Sequence, residues 1–204
     1  MIPHEGNQRR WRDPVARRFP VDDPERRRWQ DPERILTLIG LGEGMVFVDV
    51  GCGEGYFALP AARRVGPRGM VYAVDIGAES IGRLRSRAEE EGLGNITPRT
   101  GRAEDTVFCE GCADIVFFGI DLHDFGDPVA VLRNAERMVA PGGRVADLDW
   151  KDEPMELGPP PGIRFSAVKA GRLMESAGLR VLSVQEAGPY HYLILAGKRQ
   201  AAQR

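Results

Sequence analysis

No apolar run in the chain approaches the roughly 20 residues that a membrane-spanning helix needs. Met1 to Trp11 holds no apolar core segment, so no secretory signal peptide is expected. Cysteine is scarce: the three present are an odd number without disulfide-rich spacing, which excludes a stapled secreted scaffold and fits a reducing cytosol. These absences lead to the expectation of a soluble, cytoplasmic protein. Net charge is also small, at −2, so no whole-protein field draws nucleic acid. What remains is an ordinary globular composition, 42% apolar and 28% charged, over 204 residues. That length suits one domain with a full core plus an extension.

The chain is organised around Val46 to Phe57, V-F-V-D-V-G-C-G-E-G-Y-F. An apolar run with an acid near its end meets a turn containing Gly51, Gly53 and Gly55, and an apolar helical pattern follows. This is the signature of strand, tight turn and helix N-terminus. The glycines let a ligand approach the backbone. The helix start offers unpaired N–H donors to an anionic group.

Residues 1–30 read as an N-terminal extension rich in Arg and Pro, in which Pro3, Pro14, Pro20 and Pro24 prevent a long helix. Its arginines interleave with Asp13, Asp22, Asp23 and Glu25, which dilutes the field expected of a nucleic-acid arm. A strap pinned by Trp11, Phe19 and Trp29 is the favoured reading. A second unit, 31–204, opens on a helix capped by Asp31 with Pro32 at its first position. Strands are expected over 45–50, 70–75, 96–99, 113–118 and 144–149, with helices over 55–65, 78–91 and 128–139 between them. A helix capped by Ser166 and a hairpin, 179–185 and 190–196 joined at Gly188-Pro189, complete the chain. Alternation predicts an α/β fold: a doubly wound, mostly parallel, seven-stranded Rossmann-like sheet with an antiparallel C-terminal hairpin.

Asp49, the glycine turn and Asp75 then fall on one edge of the sheet, where doubly wound folds bind ligands. An acid at the end of the second strand can take both hydroxyls of a ribose. The turn departs from the dinucleotide spacing G-x-G-x-x-G, because Gly55 comes one residue early. Asp49 in front of it suits an ammonium and would repel a pyrophosphate.

At these residues the sequence resembles the class I methyltransferases that use S-adenosylmethionine (SAM), with V-D-V-G-C-G-E-G similar to their first motif and V-Y-A-V-D-I to their second. The segments H-D-F-G-D-P (123–128), L-R-N-A-E-R-M-V-A-P-G-G-R (132–144) and D-W-K…G-P-P…R (149–164) are similar to the UbiE-like, "methyltransferase type 11" branch. The resemblance covers about residues 31–198, so 31–204 is identified as a SAM-binding methyltransferase domain. It implies that the backbone of Gly51, Cys52, Gly53 and Gly55 holds the methionine part of SAM, with Asp49 supporting its ammonium. It implies also that Asp75 binds the ribose, Ile76 packs on the adenine, Ala103 and Glu104 border the adenine amino group, and the Gly119 carbonyl meets the ammonium.

Methyl transfer from a sulfonium needs alignment above all, and a base only where the acceptor must lose a proton. Candidate bases are Asp121, His123 and Asp124; His123 has the natural pKa, and its competing role is a structural one within the loop. His191 and Tyr192 are candidate acceptor contacts, of which at most one faces the site, since neighbours in a strand point to opposite faces. Arg164 either pairs with an anionic acceptor or ties down the 150–164 loop. Cys109-Glu110-Gly111-Cys112 is a lone C-x-x-C, and no metal site is expected. The expected activity is methyl transfer from SAM to a small molecule. The alternatives are a nucleic-acid methyltransferase using the Arg-rich arm and a SAM-binding protein without catalysis; a dehydrogenase ranks below both.

Overall fold

A computed structural model describes residues 21–199. Trp11, Phe19 and most of the Arg-rich extension lie outside the described residues. The first described elements are helices α1 (Pro24–Trp29) and α2 (Pro32–Leu38). Each carries proline at its start and an aspartate, Asp23 or Asp31, whose carboxylate accepts an N–H two residues on. The short α1 falls where prolines argued only against a long helix.

The rest alternates strand and helix: β1 (Val46–Val50), α3 (Ala58–Val65), β2 (Met70–Asp75), α4 (Ala78–Glu90), β3 (Ile96–Thr100), β4 (Ala113–Gly119), α5 (Pro128–Met138), β5 (Val139–Trp150), α6 (Ala167–Ser176), β6 (Leu179–Glu186) and β7 (His191–Lys198). The seven strands lie in the order β3-β2-β1-β4-β5-β7-β6, with β1 to β5 parallel and β7 antiparallel to both its neighbours. Strand order reverses between β2-β1 and β4, which opens the crevice used by doubly wound sheets.

Helices cover both faces, so β1 and β4 are almost wholly buried and read as continuous apolar runs. On one side Phe47 and Phe117 pack with Ile35, Leu36 and Ile39 of α2, with α3, and with Ile81 and Leu84 of α4. On the other, Val48, Val116 and Phe118 pack with Val131, Leu132 and Met138 of α5 and with Met174 of α6.

Three local expectations change. The helix after β1 begins at Ala58, because Gly55, at φ +94°, is still in the turn. Strand β5 begins at Val139, which pairs with Ala113, while Arg144 pairs with Ile115; Pro141 to Gly143 bulge outward in between. Cys109 and Cys112, a lone C-x-x-C in a chain whose cysteines fit a reducing cytosol, are paired as a disulfide; Gly111, at φ +62°, folds the short loop back.

At the far end of β7, His191 is buried between Trp29, stacked on it at 5.6 Å, and Trp150 at 4.5 Å. This packing holds α1 against the sheet. Neither ring nitrogen has a hydrogen-bond partner. Burial, with lesser effects of Arg26 and Lys151, pushes the imidazole down from 6.5 to about 3. Below pH 6.5 the unfolded chain binds a proton that the folded chain refuses. The stability linked to His191 is therefore present above pH 6.5 and is lost as pH falls toward 3. We predict that His191→Phe gains about 1 kcal/mol on wild type between pH 6 and pH 5 in urea unfolding. An unchanged difference would mean that His191 stays solvated.

Candidate active site

A cavity of ≈ 580 Å³ lies at the crevice, within the size range of small-molecule sites. Its floor is the turn after β1. The N–H groups of Gly51 and Cys52 donate to the Val74 carbonyl at 2.8 and 3.0 Å, tying the turn to β2. Gly51 takes φ +75°, and a Cβ there would collide with the Asp121 carboxylate. Gly53 takes φ +53°, and a Cβ there would meet no protein atom within 4 Å. The first glycine thus admits a neighbouring side chain, and the second leaves room for a ligand. Asp75 secures the same turn: its two oxygens accept the N–H of Gly53 at 2.9 Å and of Gly77 at 2.7 Å. Each oxygen keeps a further lone pair.

Two carboxylates on the wall carry oxygens without a hydrogen bond. Asp49 is 2% exposed and its Oδ2 has no hydrogen bond. Burial pushes its carboxyl up to about 8, aided by the charge of Asp75 and opposed by an N–H from Ala58 and by Arg26. Both oxygens of Asp121 are also shielded from water without a hydrogen bond. Burial, and then Asp49, Asp149, Asp147 and Asp124, hold its carboxyl well above the usual range. Ile120, beside it, sits at φ +66°, a left-handed conformation that strains a β-branched residue and marks functional sites. The Leu148 carbonyl holds its N–H at 2.7 Å.

Among the cavity residues that the sequence reading did not name as part of a site is Arg26. Arg26 counted as one of many extension arginines, yet α1 carries it into the cavity. Its guanidinium lies 3.5 Å from the centre of the Tyr56 ring, and its Nε donates to Gln30 Oε1 at 2.8 Å. Burial lowers its pKa only to about 10, so it stays charged. A capping aspartate and proline around residue 24 were the available signal for α1; nothing local marked the inward turn of Arg26.

All the residues expected to hold a cofactor border this cavity except Gly55: Asp49, Gly51, Cys52, Gly53, Asp75, Ile76, Ala103, Glu104 and Gly119. Gly55 packs on Leu59 and Leu84 instead. Ile76 is 71% exposed, an apolar surface open to a ligand. Ala103 and Glu104 form a short 3-10 turn whose carbonyls accept from Asn134 Nδ2 at 3.1 and 2.6 Å. The Cys52 thiol is pushed up by burial and by the surrounding aspartates, so it is not a reactive thiolate.

Among the acceptor-side residues, Asp121 and Asp124 reach the cavity wall. The other four do not. His123 turns its ring inward to Asp149. Arg164 donates to the carbonyls of Lys151, Glu153, Leu157 and Pro159, which is the loop-tying role. His191 is enclosed by Trp29 and Trp150. Tyr192 points to the opposite face, beside Asp147, whose fully buried carboxyl is held well above the usual range by burial and by Asp149.

An acid-flanked glycine turn and a second-strand acid around a crevice of this size define a Rossmann-like domain for a nucleoside-containing ligand. Comparison with known proteins makes that specific. The methyltransferase-domain family matches residues 41–158. A solved SAM-dependent methyltransferase from Aquifex aeolicus superposes with a TM-score of 0.81 at 31% identity, covering 88% of this chain and 98% of that one. Nocamycin O-methyltransferase of Saccharothrix syringae is 37% identical over 112 residues, 55% of this chain and 40% of that protein. Demethylmenaquinone methyltransferase of Geobacillus kaustophilus is 29% identical over 117 residues, 57% of this chain and 50% of that protein. The chain thus spans about half the length of the curated relatives it matches. It belongs to the class I SAM-dependent methyltransferase family.

Gly53→Ala tests the floor. The methyl group meets only ligand space, so the left-handed φ costs folding about 1 kcal/mol. SAM affinity should fall about 10-fold to 100-fold by overpacking. Calorimetric titration beside thermal unfolding checks both; intact SAM affinity would place the ligand elsewhere.

Proposed function

We propose that this chain transfers a methyl group from SAM to a small-molecule acceptor. The observation that carries the reading is the set of water-shielded carboxylate oxygens without a hydrogen bond, Oδ2 of Asp49 and both oxygens of Asp121, on the wall of a cavity whose glycine floor is open. Such groups are stable only with a bound cation or a proton. SAM brings an ammonium and a sulfonium, and its sulfonium supplies an activated methyl with a neutral leaving group.

The chain's own groups divide the remaining tasks. Gly51, Cys52 and Gly53 offer backbone to the methionine part, and the Gly119 carbonyl lies at the same end. Gly55 shapes the turn from beneath. Arg26 is the cation suited to the carboxylate. Asp75 takes the ribose hydroxyls on its free lone pairs, and Ile76, Ala103 and Glu104 border the base. The acceptor side is left to Ile120, Asp121, Asp124 and Phe125. A cavity of ≈ 580 Å³ favours a small acceptor over a nucleic-acid strand. In the described part of the extension, Arg26 is buried and Arg28 pairs with Glu25 at 2.9 Å, so the arm supports the nucleic-acid alternative poorly. No described helix is long and apolar enough to cross a membrane. A cytoplasmic location remains part of the reading on composition alone.

Titration calorimetry should show binding of SAM and none of NAD. Asp75→Ala should weaken SAM by about 1.5–3 kcal/mol, the range of hydrogen bonds to a charged group. NAD binding without SAM would sink the reading, and SAM binding without turnover on any acceptor would favour the non-catalytic alternative.

A pH dependence follows from Asp49. In the free protein its carboxyl is largely protonated at pH 7, since its pKa is about 8. The SAM ammonium selects the ionised form, so binding releases a proton and affinity rises with pH up to about 8. Titrations in buffers of different ionisation enthalpy should show the release, and Asp49→Asn should reduce it. Equal release in that variant would remove Asp49 from the ammonium site.

A further inference from the structure

Between β3 and β4 the chain crosses the sheet without an α-helix. After the 3-10 turn Ala103–Asp105, residues 106–112 run as an irregular crossover to the start of β4 at Ala113. Its cavity end is held by Asn134 of α5, whose Nδ2 donates to the carbonyls of Ala103 and Glu104, and by Thr106 Oγ1, which donates to the Arg102 carbonyl at 2.7 Å. Its far end is held by the next turn of the same helix. Arg137 pairs with Glu110 and accepts the Gly111 N–H on its carbonyl at 2.8 Å, and Met138 Sδ accepts the Phe108 N–H at 3.4 Å. The Phe108 ring stacks on Tyr72 of β2 at 5.0 Å. The Cys109–Cys112 disulfide closes this far end. Both cysteines are half-buried, and a Cβ on Gly111 between them would meet no atom within 4 Å, so the outer side of the loop is open to an incoming thiolate. With no helix of its own, the crossover owes its order to these contacts and to the disulfide. Disulfides in chains suited to reducing surroundings are mostly transient or redox-sensing, and accessible ones are those that exchange.

We propose that Cys109–Cys112 is a redox-controlled site, opened by an external dithiol, and that its opening slackens the crossover and weakens SAM binding through the Ala103–Asp105 turn. This rests on the methyltransferase reading. In the exchange, a thiolate of the dithiol attacks one sulfur of the pair. The S–S bond breaks, its electron pair leaves on the other cysteine as a thiolate, and a mixed disulfide forms. The second thiol of the reductant then resolves it. Two electrons and two protons have passed to the chain, which ends with both cysteines as thiols, and the reductant ends as a disulfide. The remaining cysteine, Cys52, is buried in the cavity floor with its thiol pushed up, and takes no part in the exchange. Ala103 and Glu104 line the cavity, on the side read as bordering the base. With the disulfide closed, the turn is held from α5 and from the crossover, so it is ordered before SAM arrives. With the disulfide open, ordering the turn is a cost that SAM binding must meet. SAM affinity is therefore higher in the oxidised chain, and by linkage bound SAM makes the disulfide harder to reduce.

The test uses the wild-type chain, with dithiothreitol as the dithiol. Alkylation of the denatured chain should count one free thiol before reduction and three after it. Calorimetric titration should show SAM bound about 5-fold to 50-fold more weakly by the reduced chain, the span of an ordinary coupling between sites. Redox titration at saturating SAM should place the midpoint about 20–50 mV more negative than without SAM, which is the same ratio read from the other side. Amide exchange should quicken over 103–112 on reduction and stay unchanged in β1. The double variant Cys109→Ser with Cys112→Ser should bind SAM like the reduced wild type and ignore dithiothreitol; where it fails to fold, the wild-type measurements decide alone. Equal SAM affinity in the two states, an unchanged midpoint, complete unfolding on reduction, or a dithiothreitol response that persists in the double variant would each overturn the proposal. Failure to bind SAM in either state would instead overturn the methyltransferase reading.

Discussion

A carboxylate oxygen shielded from water without a hydrogen bond is among the costliest features a fold can carry, and this chain keeps such oxygens on Asp49 and Asp121, on one cavity wall. Much of the surrounding architecture keeps them there. Asp49 ends an apolar strand that helices bury on both sides, so it cannot swing to solvent. Asp121 follows the strained Ile120 and lies where only a glycine at 51 leaves room. In the free protein protonation lowers that cost, in keeping with carboxyls that burial holds above their usual range.

The two sides of the cavity are built differently. The cofactor side is mostly backbone and rigid: a glycine turn bound to β2, an aspartate locked by two N–H groups and a 3-10 turn pinned by Asn134. The acceptor side comes from the segment after β4, backed by acids of β5. The N-terminal helix joins them by bringing Arg26 inward while Trp29 docks on Trp150 and His191. The 150–164 loop is held from within by Arg164, whose donors reach four carbonyls of that loop. An arginine with four of its five N–H donors spent on a loop's backbone has little left for a ligand.

The sheet was legible because a parallel strand covered on both faces must be apolar over its whole length, and the helices between carry periodic faces. The glycine side of the cavity was legible for a related reason: the residues that line it sit at strand ends, and parallel strands bring their ends to one edge. The errors lie where side chains from distant elements choose between inward and outward. His123 has the chemistry of a base facing a pocket, and Asp149, 26 residues later, turns it inward. His191 and Tyr192 alternate as any strand does, but one meets tryptophans and the other Asp147, so neither reaches the cavity.

The sequence by itself determined the strand and helix order, the parallel sheet with its final hairpin, and the acid-flanked glycine turn. Each of these depends on local propensity and pattern, which neighbouring residues settle. Tertiary structure alone decided that Arg26 enters the cavity, that Asp121 rests on Gly51, and that His123 answers to Asp149. Those placements depend on which buried charges meet across elements. Burial energies, not spacing along the chain, govern that choice.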